Sequence, residues 1–170
     1  DIHCTSRTDT ITLYPIGDVH IGGNCAEGHL RRRIQEIAQD SKAYVVLGGD
    51  IIDAIKPQDT RRFDFESLPD WIVEGDAITT REKLTDILHQ QIERAVSFFK
   101  PISNKILGAV EGNHEQTIKR YYNENVQRAL CRRLGIEDLT DEALIRLRFA
   151  MRNKATKRAM VMILIVYIRH

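Results

Sequence analysis

Residues 43–53 read Ala-Tyr-Val-Val-Leu-Gly-Gly-Asp-Ile-Ile-Asp. Ala43 to Leu47 is a short unbroken apolar run, the pattern of a strand covered on both faces. Gly48 and Gly49 end it, and the carboxylates Asp50 and Asp53 follow. Glycine lets a chain turn tightly and lets a ligand come close to the backbone. The same grammar recurs on either side. Ile11 to Ile16 reads as a strand that runs into Gly17-Asp18-Val19-His20. Lys105 to Val110 reads as another, running into Glu111-Gly112-Asn113-His114-Glu115. In open α/β sheets the carboxyl ends of the strands face one crevice, where ligands bind. Asp and His there supply hard oxygen and borderline nitrogen donors, suited to Mn, Fe, Zn or Mg.

The segments between these strands carry helical signals. Glu27 to Gln39 places Leu30, Ile34, Ile37 and Ala38 on one face. Residues 54–78 are polar and include Pro57, Pro69 and Gly75. They read as a loop or insertion near the strand ends, with a helical turn around Trp71. Trp71 and Phe63 to Phe65 fit either a lid or an ordinary packed insertion. Thr79-x-x-Glu82 has the form of a capping box. It predicts a helix with apolar positions Leu84, Ile87, Leu88, Ile92, Ala95, Val96 and Phe99, stopped by Pro101. A further helix is expected from about Gln116 to Leu134, with Gly135 at its C-terminal cap.

The period then changes. Ile145, Leu147, Phe149 and Met151 alternate with Arg146, Arg148, Ala150 and Arg152. A turn at 153–156 and an antiparallel strand over 158–169 complete a hairpin. Strand–helix units followed by a hairpin predict an α/β fold, with the start of a second sheet after the first. The 170 residues fit one domain.

Bulk properties exclude little but bound the rest. The net charge of +1 gives no global pull toward nucleic acid or membrane. Basic clusters at Arg31–Arg33, Arg61–Arg62, Arg132–Arg133 and Arg152–Arg158 are scattered, as solvated faces are. Three cysteines without CxxC spacing argue against a disulfide framework or zinc ribbon. Reduced, inert thiols suit the cytoplasm, which is the expected compartment. The longest apolar run, Ala159 to Ile168, falls short of the roughly 20 residues a membrane span needs. His29 and His89 lie on expected helices without partners at useful spacing, and His3 in an expected loose terminus.

Asp-x-His, then Gly-Asp-x-x-Asp, then Gly-Asn-His-Glu, in that order and at strand ends, resembles the calcineurin-like metallophosphoesterases. The resemblance covers Leu13 to Glu115 through motifs. It implies an αββα sandwich binding two divalent metal ions, with manganese favoured and Fe, Zn, Ni or Mg possible. It also implies that Asp18 and His20 bind the first metal, that Asp50 bridges both, and that Asn113 binds the second. His114 would protonate the leaving oxygen of a phosphoester after attack by a metal-bridging water. His170 fits a lone histidine that the family carries after a later strand, as a metal ligand. Asp53 would support the ligands without binding metal. Phosphodiesters are favoured over monoesters as substrates, with nucleotide or nucleic acid as the class. The family's downstream Gly-His-x-His motif has no counterpart here. The chain therefore reads as a domain incomplete at its C-terminus, with a half-built second sheet whose exposed hairpin makes a homo-oligomer. Two other readings stay open on these residues: a non-catalytic module that retains the fold, and a nucleic-acid-binding protein.

Overall fold

The computed structural model describes residues 2–4, 9–23, 25–152 and 159–170. It is a mixed α/β fold with two three-stranded sheets. The first sheet has the order β2 (Thr12–Ile16), β3 (Ala43–Leu47), β4 (Ile106–Ala109), all parallel. The central β3 is buried at Ala43, Val45, Val46 and Leu47, as its unbroken apolar run requires. Pro15 lies in β2 at the sheet edge, where a residue without an N–H costs no central ladder bond.

Helix α1 (Glu27–Gln39) connects β2 to β3 and buries Leu30, Ile34 and Ile37. The connection from β3 to β4 is longer. It holds α2 (Asp70–Val73), α3 (Ala77–Thr85) and α4 (Ile87–Phe99). Trp71 and Phe63 pack against the core, and the Arg94 guanidinium lies 5.4 Å from the Trp71 ring centre. The 54–78 segment is therefore a packed insertion around these residues. After β4 come α5 (Asn113–Tyr122) and α6 (Val126–Leu134). The core joins α4 through Ile87, Leu88, Ile92, Ala95, Phe98 and Phe99 to α6 through Val126, Leu130, Cys131 and Leu134. Burial pushes the Cys131 thiol up to about 12, which suits an inert core residue.

Two expected helices are each divided in two. The first begins at Ala77, because Asp76 rather than Thr79 is its cap: the Asp76 Oδ1 accepts the Thr79 N–H at 2.8 Å. It breaks at Asp86, between α3 and α4. The second begins at Asn113 and stops at Asn123, which takes φ +56°. Asn125 then caps α6 by accepting the Arg128 N–H at 2.8 Å. Asparagine is the non-glycine residue best suited to both tasks. Gly135 caps α6 in the left-handed region, as expected.

The second sheet has the order β1 (Ile2–Cys4), β5 (Glu142–Arg152), β6 (Ala159–Arg169). The β5–β6 pairing is antiparallel from Glu142↔Arg169 to Arg152↔Ala159. The expected turn at 153–156 lies outside the described residues. The N-terminal segment is not loose at residues 2–4, which pair in parallel with Phe149, Ala150 and Met151. β6 is an edge strand, and Val161, Met162, Ile163, Leu164 and Ile165 are all exposed along it. No helix among the described residues is long and apolar enough to cross a membrane.

Candidate metal centre

The segments after β2 and β3 run side by side beyond the sheet. The Asp18 N–H donates to the Gly49 carbonyl at 3.1 Å, and Val19 and His20 donate to the Asp50 carbonyl at 2.9 and 3.0 Å. Ile21 donates to Ile51 at 3.0 Å, and Asp53 donates back to Ile21 at 2.9 Å. This lacing fixes Asp18, His20 and Asp50 in left-handed backbone, with φ of 51°, 52° and 49°. Such conformations cost about 1–2 kcal/mol per residue for side chains with a Cβ. Three in one constellation are typical of a site whose geometry is held by its surroundings.

The third strand end closes the site. Gly49 sits at φ +94°, and an added Cβ there would lie 2.8 Å from Gly112 Cα and from the His170 ring. The close approach brings the start of α5 to Asp50, whose Oδ1 accepts the His114 N–H at 2.9 Å. The other oxygen, Oδ2, faces two imidazoles: His170 Nε2 at 3.4 Å and His20 Nε2 at 4.0 Å. Asp18 Oδ1 faces the same pair, at 3.5 Å from His170 Nε2 and 3.9 Å from His20 Nε2. These spacings are too long for hydrogen bonds. They match donors around a common ion: with metal–ligand bonds of about 2.0–2.2 Å, tetrahedral neighbours lie roughly 3.4 Å apart.

The His114 and His20 rings lie edge to face, with centres 4.7 Å apart. His20, Asp50 and His114 offer ligand atoms within 4.8 Å of one another, and so do Asp18, Asp50 and His170. Asp50 belongs to both triads. His114 Nδ1 lies 2.5 Å from the Asp53 carbonyl, which can only accept, so this nitrogen carries the proton. Nε2 is left to serve the centre. Asp53 Oδ1 lies 3.6 Å from His20 Nδ1 and 3.8 Å from His114 Nδ1, beside both rings. Burial raises the Asp53 carboxyl above its usual range, and the two histidines pull against the rise. Asn113 is the first residue of α5 and exposed, next to His114; its carbonyl accepts the Thr117 hydroxyl at 2.7 Å.

One participant had no assigned role in the sequence reading. Glu115 is buried, and its carboxylate gathers four backbone N–H groups. Oε1 accepts from Ile51 at 2.9 Å and Ile52 at 3.3 Å, and Oε2 from Asp50 and Gly112 at 3.1 Å each. Burial pushes this carboxyl up to about 7; the Asp50 charge adds to the rise and the N–H donors oppose it. Glu115 thus ties the Asp50 turn to the start of α5. Its signal in the sequence was a glutamate three residues after Gly112, the spacing at which a side chain reaches back to a helix N-terminus. Glu115→Gln turns an amide NH2 toward N–H donors and leaves them unpaired. It is expected to cost about 2–3 kcal/mol, read as a fall in midpoint in urea or thermal unfolding.

Among the described residues, the basic groups within 4 Å of Asp18, Asp50 and Asp53 are all histidines. Carboxylates gathered this closely, with imidazoles as their nearest basic groups and the Arg62 guanidinium acting on Asp53 from farther off, suit a bound cation. The donor set therefore fits divalent cations of the Mn, Fe or Zn type. The chain matches no family model, no curated protein and no solved structure.

Proposed function

We propose that this chain is a dinuclear-metal phosphoester hydrolase of the calcineurin-like metallophosphoesterase type, preferring diesters to monoesters, on a domain related to the αββα sandwich. The observation that carries the reading is the Asp50 carboxylate at three converging strand ends, whose Oδ2 faces His20 and His170 beside Asp18 and whose Oδ1 receives the His114 N–H at the start of α5. Asp18, His20, Asp50 and His170 would hold one divalent ion, with Asp50 turned also toward a second beside Asn113 and His114. Manganese leads, because the carboxylate and amide oxygens of Asp18, Asp50 and Asn113 suit it, while the imidazoles leave Fe, Zn and Ni open. Bound there, the ions would neutralise phosphate charge and acidify an attacking water.

The chain's own residues supply orientation and the proton. The Asp53 carbonyl fixes the His114 ring through Nδ1 in either protonation state, so only Nε2 exchanges its proton. As the bond between phosphorus and the leaving oxygen breaks, the Nε2 proton passes to that oxygen. His114→Ala in the manganese-loaded protein should therefore lose about 100-fold or more toward a methyl or sugar ester, whose leaving group needs the proton. A p-nitrophenyl ester leaves without help and should lose much less. Equal losses on both esters would remove His114 from the acid role.

The partner in this reading is a second copy. β6 is an 11-residue edge strand with one charged residue, Arg169, at its end and apolar side chains on both faces. Antiparallel pairing of β6 with its twin satisfies the open edge and covers that surface. Sedimentation should show a dimer that Ile163→Lys converts to a monomer. A monomeric wild type at micromolar concentration contradicts the pairing.

A further inference from the structure

A cleft of about 660 Å³ lies outside the metal centre, between residues 58–62 and the C-terminal half of α5. Gln58, Asp59, Thr60, Arg61 and Arg62 form one wall, and Thr117, Tyr121 and Tyr122 the other. Both walls continue site elements: one leaves Asp53 within five residues, and the other is the helix that presents His114. On that helix 114, 117 and 121 follow the i, i+3, i+7 spacing of one face. With a rise of about 1.5 Å per residue, Thr117 stands roughly 4.5 Å and Tyr121 roughly 10 Å along the axis from His114. That is the reach from a phosphorus atom, across a pentose, to a base.

The cleft chemistry fits the same ligand. Tyr121 is 69% exposed, so its ring is open to a planar partner. Arg120 stands 5.6 Å from its ring centre. Arg61 is exposed in the opposite wall. Arg62 donates through Nε to Asp59 Oδ2 at 2.7 Å, while its buried Nη2 has no hydrogen-bond partner among the described residues. Two arginines against one aspartate leave the wall cationic. Gln58, Thr60 and Thr117 add donors and acceptors suited to a sugar or a base edge. The far end is tied down by Lys56, which pairs with Glu124 and sits 4.8 Å from the Tyr122 ring centre.

The geometry points to this cleft as a nucleoside subsite, taking the base and sugar of a nucleoside phosphate whose phosphate lies at the metal centre, with the base stacked on Tyr121. This deepens the phosphoesterase reading and rests on it for the phosphate end. A free nucleotide and the end of a single strand offer the same chemistry.

Binding tests it without relying on turnover. Isothermal titration of the manganese-loaded chain should give adenosine 5′-monophosphate at least about tenfold tighter binding than ribose 5-phosphate, the scale of one base–aromatic stack. Tyr121→Ala should erase that margin and Tyr121→Phe should keep it. Arg61→Gln should weaken both ligands and flatten the salt dependence. Tyr121 is exposed, so its truncation leaves the core intact. A 5′-phosphorylated tetranucleotide that binds no better than the mononucleotide identifies free nucleotide as the source, and much tighter binding identifies a strand end. Equal affinity for nucleotide and sugar phosphate overturns the subsite, and so does a margin that survives Tyr121→Ala. If metal uptake and turnover hold while that margin is absent, the subsite fails and the hydrolase reading stands. If base-selective binding persists without metal uptake, the cleft stands and the hydrolase reading fails.

Discussion

Asp50→Asn is expected to lower manganese-dependent turnover on the order of 1,000-fold, the scale of losing one preorganised electrostatic contact at a reacting centre. Asparagine is nearly isosteric and can still accept the His114 N–H, which Asp50 Oδ1 now receives at 2.9 Å. The fold should therefore survive. Without metal the variant should melt no lower than wild type, because one charge leaves a crowd that includes Asp18, Asp53 and Glu115. The difference should appear when manganese is added. A ligand present at 100 times its dissociation constant stabilises the native state by about 2.7 kcal/mol. Wild type should show a shift of that order in its unfolding midpoint, and Asp50→Asn little or none. A variant that loses activity yet keeps the full shift would show that Asp50 does not hold the ions.

Gly112→Ala is expected to be the most damaging methyl added at any of the glycines. Its Cβ would fall 2.1 Å from Asp50 Oδ1, 2.2 Å from the Asp50 nitrogen and 2.7 Å from Glu115 Oε2. The backbone itself is permissive, with φ −88° at Gly112, so the penalty is purely one of space. The obstructing atoms belong to the laced turn and cannot step aside as a surface side chain could. Overpacking of this kind costs about 3 kcal/mol or more, or roughly 10 °C in a domain of this size. Gly28→Ala is the natural control. Nothing lies within 4 Å of its added Cβ, and it sits in α1. It should stabilise the chain by about 0.5–1 kcal/mol. If Gly112→Ala melts like wild type, α5 does not abut Asp50 as described.

Much of this arrangement was legible from residue order because β-strand ends advertise themselves. A buried strand needs an unbroken apolar run, and a chain that turns sharply after it needs glycine. Gly17, Gly49 and Gly112 therefore marked where Asp18, Asp50 and His114 would converge. The β5–β6 hairpin was equally readable, because alternation of Ile145, Leu147 and Phe149 with arginines fits only a period of two. What stayed hidden depended on contacts distant in sequence. Glu115 looked like a motif member, but its work is to accept N–H groups 63 to 65 residues earlier in the chain. The pairing of residues 2–4 with β5 spans nearly the whole chain, and no local pattern announces it. The division of the helix expected at 116–134 was the reverse case. Asn123 and Asn125 carried the signal, and the apolar periodicity on either side of them masked it. His170 was recognised by position alone; its placement beside Asp18 and Asp50 arises from β6 running back toward the strand ends of the first sheet.

If Asp50 is shared by two ions, the metal content per chain shows it. The protein should be loaded with manganese, desalted and assayed for metal beside Asp50→Asn. Close to two manganese ions per wild-type chain are expected, with both lost or severely weakened in the variant. One ion or none in wild type, or two ions retained in Asp50→Asn, would contradict a dinuclear centre bridged by this carboxylate.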